Sequence, residues 1–147
     1  MADVYTVAVD AIALSAATLK SLMELQTAST RKIILISWWV EFDGTSAAAT
    51  PVKVELVRAS AGITGTTITA LKYTDSAPAA ITTVKHSASG EGTPTDVLGI
   101  HRISPTTGIM VQYPLGREIT VPVSGFLNLR CNAAATVNAT VGMQWEE

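Results

Sequence analysis

The chain has 147 residues, of which 48% are hydrophobic and only 15% are charged, and its formal net charge is −2. This length is typical of one domain that buries a core of its own, so we expect a single domain over residues 1–147. The charged fraction lies below the roughly 25% of an average protein, and the apolar content excludes a disordered chain. No basic block occurs, which argues against nucleic acid as a partner.

The sequence contains few of the features that mark membrane segments, disulfides or metal sites. Its longest apolar run, Ile33–Val40, has about eight residues, whereas a membrane helix needs about twenty. No basic segment precedes an apolar one at the N-terminus, so we expect no signal peptide. Cys131 is the single cysteine, and the two histidines, His86 and His101, are too few for a metal cluster. We therefore expect no disulfide, no metal and no cofactor.

Alternation of apolar and polar residues, which is typical of β-strands, begins near the N-terminus. Tyr5, Val7 and Val9 share one face of a first strand. Residues 19–26 fit two patterns: a short helix that Ser15 would cap, or a strand that follows a turn at Ser15–Ala17. We favour the turn and the strand.

The clearest strand covers residues 33–42. The side chains predicted to face inward are Ile34, Ile36, Trp38, Val40 and Phe42. Adjacent residues of a strand point to opposite sides, so Trp39 must leave the core that Trp38 enters. Trp39 then packs on a second covered face of its own chain, contacts another subunit or stacks on a sugar.

The rest of the chain repeats the alternating pattern between turn signals. A turn at Asp43-Gly44 leads into a small-residue loop at Thr45–Thr50, and Ser87–Thr95 has the composition of a flexible loop. Further strands are expected at residues 52–56, 66–72, 81–85, 97–103, 109–113, 119–123, 127–131 and 137–145. A total of about nine or ten strands without a βαβ rhythm predicts an all-β chain, folded as one antiparallel β-sandwich or jelly roll.

No combination of residues in the sequence indicates catalysis. A nucleophile elbow, a phosphate-binding loop, a dinucleotide fingerprint and zinc-ligand spacing are all missing. His86 is interpreted as a solvated residue and His101 as a residue on a sandwich face. Cys131 shares a face with Leu127 and Leu129, so we expect it to pack as a small apolar side chain. These observations predict that the protein is not an enzyme.

Four stretches of the sequence resemble a group of short virion proteins that are encoded among the head genes of tailed phages. They are Trp39–Gly44, Pro51–Leu56, Tyr113–Glu118 and Trp145–Glu147, in order along nearly the whole chain. The resemblance implies a capsid decoration (cement) protein, which is a small β-sandwich, often trimeric, added to the outside of an assembled shell. It also implies the major capsid protein as the partner and the outer capsid surface of the virion as the location.

The composition also favours association with further copies. The low charge and the mean hydropathy of +0.33 suggest that more surface is covered than one subunit can hide, so we expect a homo-oligomer, most simply a trimer. Trp39 and Tyr5 are the candidate contacts between subunits. The segment Met1–Asp10 is either an arm laid on a neighbour or an edge strand of its own sandwich.

Two other functions fit the same composition. A phage tail or fibre component would have a similar content of residues. A carbohydrate-binding β-sandwich module would need a row of exposed aromatic side chains, and the chain has only three Trp, three Tyr and two Phe.

Overall fold

The computed structural model describes residues 2–46 and 49–147, and these residues form twelve β-strands and no helix. The strands are β1 (Val4–Leu14), β2 (Leu19–Gln26), β3 (Ile33–Phe42), β4 (Val52–Ala61), β5 (Thr64–Ile68), β6 (Leu71–Lys72), β7 (Thr83–Gly90), β8 (Thr93–Ile103), β9 (Gly108–Gln112), β10 (Ile119–Val121), β11 (Phe126–Asn132) and β12 (Val137–Glu146). The all-β prediction is confirmed, with more strands than the nine or ten expected. The predicted loop at Thr45–Thr50 lies partly outside the described residues. Within them, no helix could cross a membrane.

The strands form two six-stranded sheets in which all pairings are antiparallel. The first sheet has the order β10–β3–β12–β1–β6, and β9 joins β3 on the same side as β10. The second sheet has the order β5–β7–β2–β11–β4–β8. The chain is therefore a β-sandwich, as the alternating pattern predicted.

One hydrophobic core fills the space between the two sheets. Its largest side chains include Trp38, Trp145 and Tyr5, all of which are buried. Cys131 is fully buried in the same core, which confirms that it packs as a small apolar residue. Burial raises the pKa of the Cys131 thiol, so this thiol stays protonated and is a poor nucleophile.

An irregularity in β3 reverses the prediction for the first half of that strand. The register against β12 shifts at Ile36, which has no partner there. Such an extra residue turns the side chains on its two sides to opposite faces. Ile33 and Leu35 are therefore buried in the core, whereas Ile34 and Ile36, which were predicted to face inward, are partly exposed. From Trp38 onward the predicted faces are correct.

The structure decides between the alternatives for the N-terminal part of the chain. A turn closed by a hydrogen bond from Thr18 to Ser15 precedes the strand β2, as favoured. Strand β1 pairs with β12 along most of its length and with β6 only at Tyr5 and Thr6. The described part of Met1–Asp10 is therefore not an arm; from Val4 onward it belongs to a strand near the edge of its own sheet.

Two continuous stretches of chain cross the outer face of the second sheet. Strand β4 continues through Gly62 and Ile63 into β5, and β7 continues through Glu91 and Gly92 into β8. Because β4 and β8 pair at one edge of the sheet and β5 and β7 at the other, both stretches pass over β2 and β11. We call residues 61–64 and 90–93 the crossing segments. The flexible loop predicted at Ser87–Thr95 is wrong, since most of it pairs with distant strands.

The crossing segments bury two polar side chains of the second sheet. Glu24 is completely buried and Asn128 is 2% exposed. The backbone N–H of Ile63 donates a hydrogen bond of 2.9 Å to the Glu24 carboxyl. A Cβ atom at Gly92 would lie 2.4 Å from the carbonyl oxygen of Ala61, so the close approach requires glycine. Burial raises the pKa of Glu24, which favours its neutral form.

Candidate functional site

The tandem tryptophans of β3 divide between the core and the surface, as their alternation predicted. Trp38 is buried, its indole N–H donates to the Tyr113 hydroxyl at 3.2 Å, and its ring meets His101 edge-on at 5.4 Å between centroids. Trp39 lies on the outer face of the first sheet and is partly exposed. The core therefore holds Trp38 in place, and Trp39 is presented from a strand in the middle of the sheet.

The Trp39 ring packs against a glycine of the neighbouring strand β12. Gly142 of β12 is the direct partner of Trp39 across the two strands. A Cβ atom at Gly142 would lie 1.9 Å from Cζ2 and 2.3 Å from Cε2 of the indole. The ring therefore covers the position where any other residue would project its side chain, and it lies against the backbone of β12.

An open depression of about 570 Å³ adjoins the Trp39 ring. Its lining comprises Trp39, Glu41, Phe42, Thr106, Thr107, Gly108, Ile109, Met110 and Gln144. Met110 of β9 is the partner of Trp39 on the other side of β3 and is 59% exposed. We call Trp39, Glu41, Met110 and Gln144 the Trp39 surface.

Hydrogen bonds fix the polar rim of the Trp39 surface. The buried Ser37 hydroxyl donates to the Gln144 side-chain oxygen at 3.2 Å. The amide nitrogen of Gln144 donates to the hydroxyl of Tyr73, whose ring is largely exposed. Both polar groups of Gln144 are thus engaged within the chain.

The face that carries the Trp39 surface is acidic and has few charges. The strands β1, β3, β9, β10 and β12 contain the carboxylates Asp10, Glu41 and Glu146 and no Lys, Arg or His, and the one cation in a strand of this sheet is Lys72 of the edge strand β6. Of the carboxylates, Glu41 lines the depression. A partner that covers this face therefore meets apolar side chains and carboxylate groups, and a cationic side chain on the partner would be favoured.

The second candidate contact, Tyr5, needs correction. Its side chain is fully buried, its ring stacks on Trp145 at 6.0 Å between centroids, and its hydroxyl donates to the Pro78 carbonyl at 3.1 Å. The alternation of β1 that places Val7 in the core also places Tyr5 there. Tyr5 therefore stabilises the sandwich and presents no surface to another subunit.

In the described residues, several Ser and Thr hydroxyl groups are hydrogen-bonded to carboxylates, and one lies against a histidine ring. His86 Nδ1 lies 2.9 Å from the hydroxyl of the adjacent Ser87, and no carboxylate is hydrogen-bonded to the His86 ring. Within residues 2–46 and 49–147, no group of three or more His, Cys, Asp or Glu side chains could hold a metal ion. The Trp39 surface is therefore the most distinctive candidate site in the described chain.

Sequence reasoning found Trp39 but missed the residues that make it a site. Gly142 interrupts the alternation of β12 with a residue that has no side chain, and that signal becomes meaningful only when Trp39 is known to be its partner. Met110 and Gln144 also join the surface through strand pairing. Tyr73 directly follows β6, and the strand predicted at residues 66–72 ended one residue before it.

Comparisons with family models, with curated proteins and with solved structures found no match for the chain.

Proposed function

We propose that the protein is a capsid decoration protein that binds the outer shell of a tailed-phage head and stabilises it by bridging neighbouring subunits. The observation that supports this role best is the Trp39 surface, a rigid and largely uncharged contact area on the middle strands of a sheet. The resemblance of four stretches of sequence to short virion proteins points the same way. The protein acts by contact, as a homo-oligomer, with the major capsid protein as its partner.

The physical effect of such a protein is mass action. A protein that binds the intact shell and not its separated subunits shifts the equilibrium toward the shell. Each contact can be weak, because many copies bind one symmetric lattice and copies within an oligomer share the gain of multivalency. A stiff β-sandwich suits this role because its contact residues lose little freedom on binding.

A carbohydrate-binding role has less support. A sugar site needs free hydrogen-bonding groups beside its aromatic ring, because the sugar loses bonds to water when it binds. The polar groups of Gln144 already bind Ser37 and Tyr73, which leaves the Glu41 carboxylate as the polar group of the Trp39 surface that a sugar could reach. The Trp39 surface therefore suits an apolar protein contact better than a sugar.

The decisive experiment uses expanded heads that lack the protein. Purified protein is added in increasing amounts, bound copies are counted, and DNA release is followed by dye fluorescence during a thermal ramp. We expect saturable binding with a fixed number of copies per lattice site, and DNA release at a higher temperature from decorated heads. Equal release temperatures, or labelling found only on the tail, would exclude the cement role; tail labelling would favour the tail or fibre alternative.

A matched pair of variants tests the surface. Trp39→Ala removes the centre of the Trp39 surface, whereas Val123→Ala shortens an apolar side chain that is 49% exposed and lies outside that surface. We expect Trp39→Ala to lower the number of bound copies and Val123→Ala to bind as the wild type does. Equal binding of both variants would exclude the Trp39 surface as the contact.

A further inference from the structure

The edge of the first sheet carries a protruding turn that the fold does not use. Strands β9 and β10 pair with the same side of β3, and between them only Tyr113 still bonds to β3, through its N–H to the carbonyl of Ile36 at 2.9 Å. Pairing resumes where Ile119 meets Leu35. Residues 114–118 therefore leave the edge and return to it.

This turn is stiff, and its tip is apolar. The N–H of Arg117 donates to the carbonyl of Pro114 at 2.9 Å, and Gly116 has a φ of +80°, which favours glycine. The ring of Pro114 fixes a further backbone angle. Leu115 stands at the tip and is 97% exposed, so its own chain offers it almost no contact.

The lining of the depression beside Trp39 is complementary to the protruding turn, because both have an apolar part and their charges are opposite. Trp39, Met110 and Phe42 supply apolar lining, and Glu41 supplies a carboxylate. The protruding turn offers Leu115 for the apolar part and the exposed Arg117 for the carboxylate.

The turn does not fill the depression of its own chain. Leu115 is 97% exposed, so it does not occupy the depression beside Trp39 of its own chain. The occupant must therefore come from another molecule.

We propose that Leu115 of one copy inserts into the depression beside Trp39 of a second copy, and that three copies close into a ring through this contact. The assignment rests on the proposed role of the Trp39 surface as a contact surface. The two halves of the contact are different patches of one subunit, so each copy uses both, and the contact either closes into a ring or continues as an open filament. Any closed ring leaves no depression and no Leu115 unused, and the number three is that of the trimer expected from the sequence.

The experiment measures the mass of the purified protein by sedimentation equilibrium over a wide range of concentrations, without phage heads. We expect the wild type to reach three times the protomer mass of 15.4 kDa. Leu115→Asp and Met110→Asp should each raise the concentration at half-assembly by at least about tenfold. Val123→Asp, which places the same charge on an exposed apolar position outside both patches, should assemble as the wild type does.

A charge exchange tests the pairing of the two patches directly. Arg117→Glu and Glu41→Arg should each weaken assembly, and the double variant should regain most of it, because the attraction is restored with its direction reversed. Thermal melting at concentrations where every variant is monomeric checks that all of them are folded.

Several results would overturn the proposal. They are a wild type that stays monomeric at all concentrations, a trimer that tolerates Leu115→Asp and Met110→Asp, a double variant no better than the single ones, and open filaments in place of a ring. A monomer that still decorates heads would remove this contact and leave the proposed function standing. A trimer that forms through this contact but does not bind heads would exclude the proposed function and leave the contact standing.

Discussion

On the outer face of the second sheet, the crossing segments cover Glu24 and Asn128, whereas on the outer face of the first sheet Trp39 and Met110 remain partly open among the described residues. The protomer thus buries polar groups on one face and exposes apolar groups on the other. The general tendency of proteins to bury apolar side chains and expose polar ones would predict the opposite arrangement.

The difference lies in what completes each face. The second sheet is closed by its own chain: Glu24 accepts a hydrogen bond from the Ile63 N–H through one carboxyl oxygen, whereas its other oxygen and the side-chain oxygen of Asn128 are buried without a partner in the described part of the chain. The first sheet has a preformed depression, a ring seated on a glycine and a rim fixed by Gln144. We infer that the second face stabilises the fold and that the first is available for association, and the predictions below separate these two roles.

The largest expected effect compares the two tryptophans of β3. Trp38→Ala leaves a cavity in the core and should lower the free energy of unfolding by about 3–5 kcal/mol. Trp39→Ala removes a side chain from the outer face and should cost roughly 1 kcal/mol or less, while weakening assembly. A denaturant titration of both variants at low protein concentration measures the difference. If Trp39→Ala destabilises the monomer as much as Trp38→Ala, the Trp39 surface belongs to the fold.

The next effect compares one glycine from each face. Gly92→Ala places a Cβ atom against the Ala61 carbonyl oxygen, which belongs to the backbone, so the crossing segments must move; we expect a cost of about 3 kcal/mol in unfolding free energy. At Gly142 the three atoms nearest to an added Cβ all belong to the Trp39 ring, which can rotate away, so Gly142→Ala should cost about 1 kcal/mol while assembly is lost.

Denaturant titration and sedimentation of the two glycine variants separate the outcomes. A Gly92→Ala protein that unfolds at the wild-type denaturant concentration would show that the crossing segments accommodate the added Cβ atom without loss of stability. A Gly142→Ala protein that assembles normally would show that the position of the Trp39 ring does not matter.

The pH dependence of stability tests the covered face. Burial raises the pKa of Glu24, and the nearby Glu91 adds to this while Lys85, Asn128 and the bond from Ile63 oppose it. A carboxyl whose pKa is higher in the folded state supports folding most below its unfolded pKa of about 4.5, and that support is lost as the pH rises through the folded value. Each unit of pKa difference corresponds to about 1.4 kcal/mol.

The variant Glu24→Gln isolates this effect, because its amide stays neutral and can still accept the bond from Ile63. Urea titrations of both proteins at pH 4 and pH 8 give the comparison. We expect Glu24→Gln to gain stability over the wild type on going from pH 4 to pH 8. A difference between the two proteins that does not change with pH would mean that Glu24 is not buried as described.

The smallest expected effect concerns the rim of the open face. Tyr73→Phe removes the hydroxyl that accepts the bond from Gln144 and should change the unfolding free energy by about 1 kcal/mol or less. Assembly should weaken measurably, since Gln144 is then free to leave its position beside the depression. Melting temperature and sedimentation measure the two effects, and unchanged assembly would show that Ser37 alone fixes Gln144.

Local sequence patterns were most successful where the strand itself contains no extra residue relative to its neighbours. The inward faces of β11 and β12 were predicted correctly, because no irregularity interrupts the sequence of either strand and their apolar residues pack against one core. The first half of β3 was assigned to the wrong face, since Ile36 is an extra residue relative to β12. Because the first half of β3 has apolar residues on both faces, its sequence alone does not show which residue is the extra one.

The predicted loop at Ser87–Thr95 failed for a related reason. Its Gly and Pro residues have low strand preference as isolated residues, but pairing with β4 and β5 supplies hydrogen bonds that outweigh this preference. Gly92 lies where the chain passes close to another part of the backbone, since a Cβ atom there would lie 2.4 Å from the Ala61 carbonyl oxygen. Composition alone cannot distinguish that use of glycine from flexibility.

The sequence by itself determined that the chain is an all-β sandwich, that Cys131 is a core residue and that Trp38 and Trp39 point to opposite sides. These properties follow from the two-residue period of a strand, which is a local feature of the backbone. Only the tertiary structure decided that Tyr5 is buried, that Gly142 seats Trp39 and that the crossing segments cover Glu24. Those properties depend on pairings between residues far apart in the chain, and the register of such pairings is set by the packing of the whole sandwich.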